Sequence, residues 1–447
     1  MARVPTPLVA SEQNQLLHSL LLQLEQSQAW DEERMVSGQL QQLRKLLGHA
    51  LSYSDFYRER CKHLYPAVMG WDEFRQLPLL TRAELRKHKD RIDCAQLPQD
   101  HGGTIDIMTS GSTGSPVKLR GSGMTNLIWH VINMREQLWQ QRDPARITSA
   151  IRWHPDAVAM PPLGSSHPDW GFPINQFYRT GPAYVLNSSA DIEAQLTWLG
   201  KIRPHYLMTH PSNLKSVLQF ATADDPAFSK LLQLRTVGER VDSSLREAAK
   251  ELLGVPLVDF YSSQELGYIA LQCPQHEHYH VQSESLIVEI LDADGRPQPR
   301  GEPGRLVITS LRNYATPLIR YEIGDFGEWG ECCDYAPGLP VLKKVTGRVR
   351  NMLRLPNGQQ RWPNFGFKYM MDVAAIQQFQ VVQTALDAIE LRLVVGAPLS
   401  QEQEARLARI LADHLGYSFA ISISYHDALP RGAGGKFEDF LSLLSPP

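Results

Sequence analysis

Cysteine is scarce in this sequence, and neither a long apolar run nor a strong excess of one charge is present. Five cysteines among 447 residues are an odd and sparse set, so a disulfide framework is not expected. No apolar stretch is long enough to span a bilayer, and a net charge of −3 gives no electrostatic reason for nucleic acid or an anionic membrane as a partner. Residues 1–14 lack the basic and apolar segments of a secretory signal. A reduced, cytoplasmic protein is therefore expected.

The most informative segment is a run of hydroxyl residues and glycines at residues 109–118. It reads Thr109, Ser110, Gly111, Ser112, Thr113, Gly114, Ser115, Pro116, Val117, Lys118. Glycines allow tight turns that bring backbone N–H groups close to an anion, and the hydroxyls and the lysine add further donors. The run lacks the Gly-Lys-Ser/Thr ending of a Walker loop. It indicates either a loop that holds nucleotide phosphates or a flexible linker, and the downstream segments favour the loop.

Short β-rich runs alternate with helical patterns along most of the chain. The spacing of Leu40, Leu43 and Leu47 predicts an early helix, and Thr81 with Glu84 forms a capping box that predicts the start of another. Strands are predicted at residues 183–186, 206–209, 257–261, 285–291 and 305–309, and a helix at 212–220. This alternation predicts an α/β fold.

The pattern changes after Gly347. Strands are predicted at residues 378–382, 389–395 and 419–425. Between the last two of these strands, Ser400 would cap a helix that ends at Gly416. We therefore predict two domains, a large one of residues 1–346 and a small α/β domain of residues 347–447.

Four more segments follow the glycine-rich run in a fixed order. They are Tyr261-Ser262-Ser263-Gln264-Glu265, Tyr321-Glu322-Ile323-Gly324-Asp325, Gly347-Arg348-Val349-Arg350-Asn351, and Leu429-Pro430-Arg431-Gly432-Ala433-Gly434-Gly435-Lys436. Together with the run, this series resembles the adenylate-forming superfamily of acyl-CoA ligases, adenylation domains and luciferases, and above all its phenylacetate–CoA ligase branch. The likeness extends over residues 40–436. It implies a large multilayer N-terminal domain and a small, mobile C-terminal lid.

The resemblance implies a reaction in two steps. A carboxylic acid, by default an aryl acid, would react with Mg·ATP to give an acyl-adenylate and pyrophosphate, and the acyl group would then pass to the thiol of coenzyme A. Transfer to the pantetheine of a carrier protein or to an amine remains an alternative, as does a degenerate protein that binds nucleotide without efficient turnover. A homodimer is compatible with each of these.

The resemblance also implies roles for individual residues. The run at 109–118 would hold the β- and γ-phosphates, and Glu265 would ligate Mg²⁺, because a hard cation prefers carboxylate oxygen. Lys436 would neutralise the charge that builds when the carboxylate attacks the α-phosphorus. The other nucleotide contacts would come from Gly238, Glu239, Tyr261, Gln264, Asp325 and Arg348. Two departures from the family are Gln264, where Thr or Ser is usual, and the hinge residue Asn351, where Asp or Lys is usual.

Aromatic residues upstream of the Tyr261 segment suggest a pocket for the acyl group. Trp170 and Phe172 would form an aromatic wall suited to an aryl acid, and His210 would lie beside it. Packing in the core is the alternative role for the two rings, as a structural role is for the histidine.

A cysteine- and histidine-containing set suggests a zinc site. Its members are Cys273, His278, His280, Cys332 and Cys333. Because the last two cysteines are adjacent, joint tetrahedral ligation by all of them is awkward. Polar-loop and core roles for these residues are therefore favoured over a structural zinc.

Overall fold

The computed structural model describes residues 4–108, 117–154, 158–348, 352–361, 363, 365, 369–370, 372–430 and 437–444. The helices are α1 Glu12–Ser27, α2 Glu32–Tyr53, α3 Asp55–Arg60, α4 Trp71–Arg75, α5 Arg82–Ile92, α6 Gly123–Trp139, α7 Ile192–Ile202, α8 Pro211–Phe220, α9 Ser243–Leu253 and α10 Gln401–Leu415. Among these described helices, none combines the length and the apolar character that a membrane crossing requires.

The strands form two large sheets, one smaller sheet and two hairpins. They are β1 Thr104–Met108, β2 Lys118–Ser122, β3 Thr148–Arg152, β4 Ser165–His167, β5 Ala183–Asn187, β6 Tyr206–Thr209, β7 Gln233–Thr236, β8 Leu257–Val258, β9 Phe260–Ser263, β10 Gly267–Gln272, β11 Tyr279–Val281, β12 Leu286–Leu291, β13 Pro303–Ser310, β14 Tyr321–Trp329, β15 Val341–Arg348, β16 Leu353–Arg354, β17 Gln360–Arg361, β18 Ile376–Ala385, β19 Ala388–Val395, β20 Ala420–Tyr425 and β21 Phe440–Ser442.

A six-stranded sheet with the order β4-β5-β3-β6-β7-β8 carries the first half of the site. Its strands are parallel except for β4, so the chain crosses over through α7, α8 and α9. Trp198, Leu214 and Leu245 on these helices are buried against the strands. Because the carboxyl ends of parallel strands meet at one edge of a sheet, the segments that follow β6, β7 and β8 converge there.

A seven-stranded sheet with the order β12-β13-β14-β15-β11-β10-β9 carries the second half. All its neighbouring strands are antiparallel, and α2, α3 and α5 contribute to the core beneath it. The predicted strand at residues 257–261 is wrong as one element, because the chain divides it at Asp259 between the two sheets. The Asp259 carboxylate accepts hydrogen bonds from the Thr236 and Tyr279 hydroxyls, which fixes the chain where it changes sheet.

The predicted phosphate loop joins the two strands of a hairpin. β1 and β2 are antiparallel, with Met108 paired to Lys118. Residues 109–116 lie outside the described residues, and of this run only Val117 and Lys118 are described. The Lys118 ammonium pairs with the Asp106 carboxylate of β1 at 2.8 Å.

A four-stranded sheet, β20-β19-β18-β21, forms the C-terminal domain together with α10. The helix begins after Ser400, whose side chain accepts a hydrogen bond from the Gln403 N–H, and ends at Gly416 with φ +60°. The predicted helix is therefore confirmed at both ends. The last strand of the seven-stranded sheet ends at Arg348, and the first strand of the four-stranded sheet begins at Ile376. The boundary between residues 346 and 347 stays a prediction.

Candidate active site

A cleft of about 220 Å³ lies at the carboxyl edge of the six-stranded sheet. The seven-stranded sheet forms a second wall, and residues 376–379 and 437–439 of the C-terminal domain form a third. The predicted nucleotide residues that border it are Gly238, Glu239, Tyr261, Gln264, Glu265 and Asp325. Motifs that are far apart in the sequence therefore meet in one cavity.

Tyr261 and Asp325 are in direct contact across the cleft. The Tyr261 hydroxyl donates a hydrogen bond of 2.7 Å to Oδ2 of Asp325. Asp325 lies in β14, in register with Arg348 of β15. An aromatic ring and a carboxylate are thereby held side by side, which suits the base and the sugar hydroxyls of a nucleoside. The backbone of Arg348 is at this site, while its side chain lies outside the described residues.

Glu265 is a buried carboxylate at the end of the Tyr261 segment, with 7% of the residue exposed. Its nearest described partners are distant: Nη1 of Arg82 lies 3.6 Å and the Tyr321 hydroxyl 3.5 Å from Oε1. A buried anion held this loosely is suited to bind a cation. Arg82, which also borders the cleft, was missed in the sequence because it stands as an ordinary first residue of α5.

Glu239 connects the N-terminal domain to the C-terminal domain. Its carboxylate accepts hydrogen bonds from the Ser212 N–H at 2.8 Å and from the Ser212 hydroxyl at 3.1 Å. The same carboxylate accepts a hydrogen bond of 2.8 Å from the Phe437 N–H. Gly238, just before it, has φ +82°, a conformation that favours glycine. This pair was predicted among the nucleotide contacts, and Glu239 also fixes the chain immediately after Lys436.

Asp259 is a buried acid of the cleft that the sequence prediction missed. Burial raises the pKa of its carboxyl to about 6, against the opposing charge of Arg246. An acidic residue inside an otherwise apolar run, Leu257 to Phe260, was the signal that could have revealed it.

Replacing Asp259 with asparagine is expected to change how stability depends on pH. An unfolded aspartate has a pKa of about 3.9, so between pH 4 and 6 the folded chain holds a proton that the unfolded chain has lost, and this stabilisation disappears as pH rises through 6. From pH 5 to pH 8 the free energy of unfolding of the parent should fall by about 1.4 kcal/mol relative to that of Asp259→Asn. Urea unfolding at both pH values measures this, with the exposed Asp294→Asn as control. A difference between parent and variant that is equal at both pH values would contradict it.

A second cavity, of about 300 Å³, shares Gln264 and Glu265 with the cleft. It lies between β1, α6 and the segment from Gln264 to Tyr268. Its apolar lining includes Ile107, Ile128, Trp129, Ile132 and Tyr268. His130 also borders it: burial lowers the pKa of this imidazole, and its buried Nδ1 has no hydrogen-bond partner among the described residues. A compartment with an aromatic and aliphatic wall therefore opens beside the cleft.

Of the three residues predicted for the acyl pocket, one contacts a residue that borders this cavity, and the other two contact residues that border neither cavity. Phe172 packs edge-to-face on His130, with the ring centroids 4.6 Å apart. Trp170 packs on Tyr206 and donates its indole N–H to a backbone carbonyl. His210 precedes α8, with Nδ1 2.9 Å from the Val237 carbonyl oxygen. Within the described chain, none of the three predicted residues borders either cavity.

A compact group of side chains of the types that can ligate a metal lies outside the cleft. The ligand atoms of Cys273, His278, His280 and Cys333 all lie within 4.8 Å of one another. Nε2 of both histidines is buried without a hydrogen-bond partner in the described chain. Cys332 is not a member: its Sγ lies 3.5 Å from a guanidinium nitrogen of Arg300. The adjacency of Cys332 and Cys333 is therefore no obstacle to a tetrahedral arrangement, because only Cys333 belongs to the group.

Lys436 and Asn351, the predicted catalytic lysine and hinge, lie outside the described residues. Their roles stay predictions. The described residue next to Lys436, Phe437, borders the cleft.

The sequence matches two family models. The model described as AMP-binding enzyme matches residues 78–313, more than half of the chain, and the CapK C-terminal domain matches residues 366–441. Phenylacetate-coenzyme A ligase of Thermus thermophilus is 25% identical over 293 residues, which cover 59% of this chain and 66% of the relative, slightly less than two thirds of its length. Protein CapK of Staphylococcus aureus is 21% identical over 415 residues, covering 89% of this chain and 87% of that protein.

A solved structure of 2-hydroxyisobutyryl-CoA ligase in the postadenylation state, in complex with R3-HIB-AMP, has the same fold. It overlays with a TM-score of 0.71 at 15% identity, over 94% of this chain and 91% of that chain. The predicted fold class, a large α/β N-terminal domain followed by a smaller C-terminal domain, is confirmed. The chain therefore belongs to the AMP-binding enzyme family, the adenylate-forming superfamily that its ordered motifs indicated, and it is similar to phenylacetate–coenzyme A ligases.

Proposed function

We propose that this protein activates a carboxylic acid with Mg·ATP as an acyl-adenylate, releases pyrophosphate, and transfers the acyl group to coenzyme A. The observation that carries the proposal is the meeting of Tyr261, Asp325 and Glu265 in one cleft that shares a wall with a second, partly aromatic cavity. Phenylacetate-coenzyme A ligases among the relatives, and a complex of 2-hydroxyisobutyryl-CoA ligase with 2-HIB-AMP and CoA among the structures of the same fold, support coenzyme A as the acceptor.

The cleft would bind the nucleotide through contacts of different kinds. The Tyr261 ring would stack on the adenine, and the Asp325 carboxylate would accept hydrogen bonds from the ribose hydroxyls. Glu265 would ligate Mg²⁺, which fits a buried carboxylate whose described partners lie at 3.5 Å or more. The magnesium ion would offset negative charge on the phosphates.

The second cavity would hold the acyl group. Its shared residues Gln264 and Glu265 would be the end at which the acid's carboxylate meets the α-phosphate. Trp129 and Tyr268 offer aromatic surfaces to a ring, which supports an aryl acid as the substrate class. Phe172 would act from behind His130, by fixing its imidazole.

Acid-dependent exchange of pyrophosphate into ATP tests this proposal directly. A panel of aryl, fatty and amino acids, assayed without any thiol, should give exchange with one class of acid. Thioester formation with coenzyme A, compared with a carrier protein and with amines, then identifies the acceptor. ATP binding without exchange for any acid would instead favour a degenerate nucleotide-binding protein, and failure to bind ATP would contradict the proposal.

Replacing Asp325 with alanine is expected to weaken ATP binding about tenfold to a hundredfold, because a charge-assisted hydrogen bond to the nucleotide contributes about 1.5–3 kcal/mol. Titration calorimetry with ATP measures the change. Tyr261→Phe is the comparison variant: it removes the hydroxyl that binds Asp325 but keeps the carboxylate and the ring, so it should weaken ATP binding less than Asp325→Ala. An ATP affinity that is equal in Asp325→Ala and the parent would overturn the assignment of Asp325 to the ribose.

We also propose that Cys273, His278, His280 and Cys333 hold a structural zinc ion. Two thiols and two imidazoles are a ligand set that zinc commonly takes in closed tetrahedral sites. The buried, unpartnered Nε2 atoms of the two histidines fit such an ion. Hydrogen bonding between the His280 ring and the Leu339 carbonyl, with Nδ1 and O 3.3 Å apart, would orient that ligand.

A further inference from the structure

The chain that follows Lys436 is attached to the N-terminal domain at two points. The Phe437 N–H binds Glu239, as described above. Two residues later, the Asp439 carboxylate forms a salt bridge with Lys215 of α8, with Oδ2 and Nζ 2.8 Å apart. Both contacts join the two domains, and they lie one and three residues after the predicted catalytic lysine.

Lys215 is nearly fully buried and lies between two carboxylates. Nζ is 3.0 Å from Oδ2 of Asp242 and 2.8 Å from Oδ2 of Asp439. Burial would lower the pKa of the Lys215 ammonium, but the two carboxylates outweigh burial and raise it. The lysine is therefore charged, and a charge in this position needs at least one acidic partner.

The two acidic partners differ in how they are held. Asp242 belongs to the N-terminal domain, where it also caps α9 by accepting a hydrogen bond from the Leu245 N–H. Asp439 belongs to the C-terminal domain and stands just before β21. If the C-terminal domain moved away, Lys215 would keep Asp242 as its partner. The contact with Asp439 can therefore break without leaving an unpaired buried charge.

A further polar contact lies beside this pair, in an interface where apolar side chains of both domains, such as Leu214 and Phe379, belong to one core cluster. The Ser216 hydroxyl donates a hydrogen bond of 2.6 Å to the Gln377 carbonyl at the start of β18. Polar contacts of this kind are typical of domain interfaces that separate and re-form. The Lys215 ammonium also lies 5.7 Å from the centroid of the Phe379 ring, which is within the range of a cation–π contact between the two domains.

We propose that Lys215 is a positioning residue, which through Asp439 holds residues 437–439, directly after the predicted catalytic lysine, at the cleft for the adenylation step and releases them for acyl transfer. This inference rests on the proposed function for its chemistry. Lys215 and Asp439 both border the cleft, and Lys215 acts in this role through Asp439 and not through contact with a substrate. It acts only by favouring the domain arrangement in which Lys436 can reach the α-phosphate.

Asp439→Asn is the primary test, because it removes the charge across the interface and leaves the pair of Lys215 with Asp242 intact. Pyrophosphate exchange should fall about fivefold to tenfold, a modest coupling between domain position and chemistry. Thioester formation from chemically prepared acyl-adenylate should be unchanged or faster. Glu390→Gln is the matched control: its partner Arg392 lies 2.9 Å away in the same small sheet, so that pair does not cross domains.

Hydrogen exchange of the amides in residues 437–442 supplies a readout that does not depend on activity. These amides should exchange faster in Asp439→Asn than in the parent or in Glu390→Gln, and Lys215→Met should reproduce the effect. Equal losses in both half-reactions, or unchanged exchange at these amides, would overturn the role of Lys215. A parent enzyme that shows no pyrophosphate exchange with any acid would contradict the proposed reaction, while the amide measurement would still decide whether Lys215 holds this segment.

Discussion

Replacing Lys436 with alanine is expected to lower the rate of acyl-adenylate formation by about 10²–10³-fold and to change ATP affinity little. Attack of a carboxylate on the α-phosphorus brings two anions together, so a preorganised cation contributes most when the charge builds in the transition state. The residue after it, Phe437, lies in the cleft and is bound to Glu239. The proposed role of Lys436 therefore rests on the position of its described neighbour.

Pyrophosphate exchange at saturating ATP and acid measures the loss in Lys436→Ala, and calorimetry measures the dissociation constant for ATP. Lys343→Ala is a suitable control, because that lysine pairs with Glu328 on the seven-stranded sheet and neither residue borders the cleft. Acyl transfer from prepared acyl-adenylate should persist in Lys436→Ala, which separates a lost catalytic group from a misfolded domain. Equal losses of ATP affinity and of turnover would show that Lys436 contributes to ground-state binding instead.

Elements determined by local interactions could be predicted from the sequence. The capping boxes of Thr81 with Glu84 and of Ser400 with Gln403 start α5 and α10 as expected, because each is formed by residues three positions apart. The run at 257–261 shows the limit of such local patterns. Val258, Phe260 and Tyr261 favour strand formation, but the two sheets on either side of Asp259 are defined only by tertiary pairing.

The residues of the cleft were more predictable from the sequence than the lining of the second cavity. Tyr261, Glu265 and Asp325 stand in short motifs whose order along the chain carries information, and they meet in one cleft. An aromatic residue such as Trp129 has no comparable signal, since any helix of a buried layer contains such residues. Which aromatic side chains border a cavity depends on how α6 packs against β10, and the sequence does not encode that contact locally.

Replacing Cys273 or Cys333 with serine is expected to abolish zinc binding and to lower the melting temperature of the protein by roughly 3–6 °C. The proposed ligands connect the β10–β11 hairpin to the loop between β14 and β15, so the metal would cross-link parts of the seven-stranded sheet that are about 60 residues apart in the chain. Metal binding that depends on folding stabilises the folded state, and a loss of a few kcal/mol shifts the melting temperature by this amount. Elemental analysis and thermal unfolding measure the two effects.

Cys332→Ser is the matched control, because it makes the same replacement of sulfur by oxygen at the cysteine next to Cys333. Consecutive side chains leave the backbone in different directions, and the Cys332 thiol faces Arg300 instead of the cluster. This variant should keep both the zinc and the melting temperature of the parent. Zinc absent from the purified parent, even after folding in its presence, would contradict the proposed metal. Zinc retained by Cys273→Ser and Cys333→Ser but lost from Cys332→Ser would show that the ligand set is different.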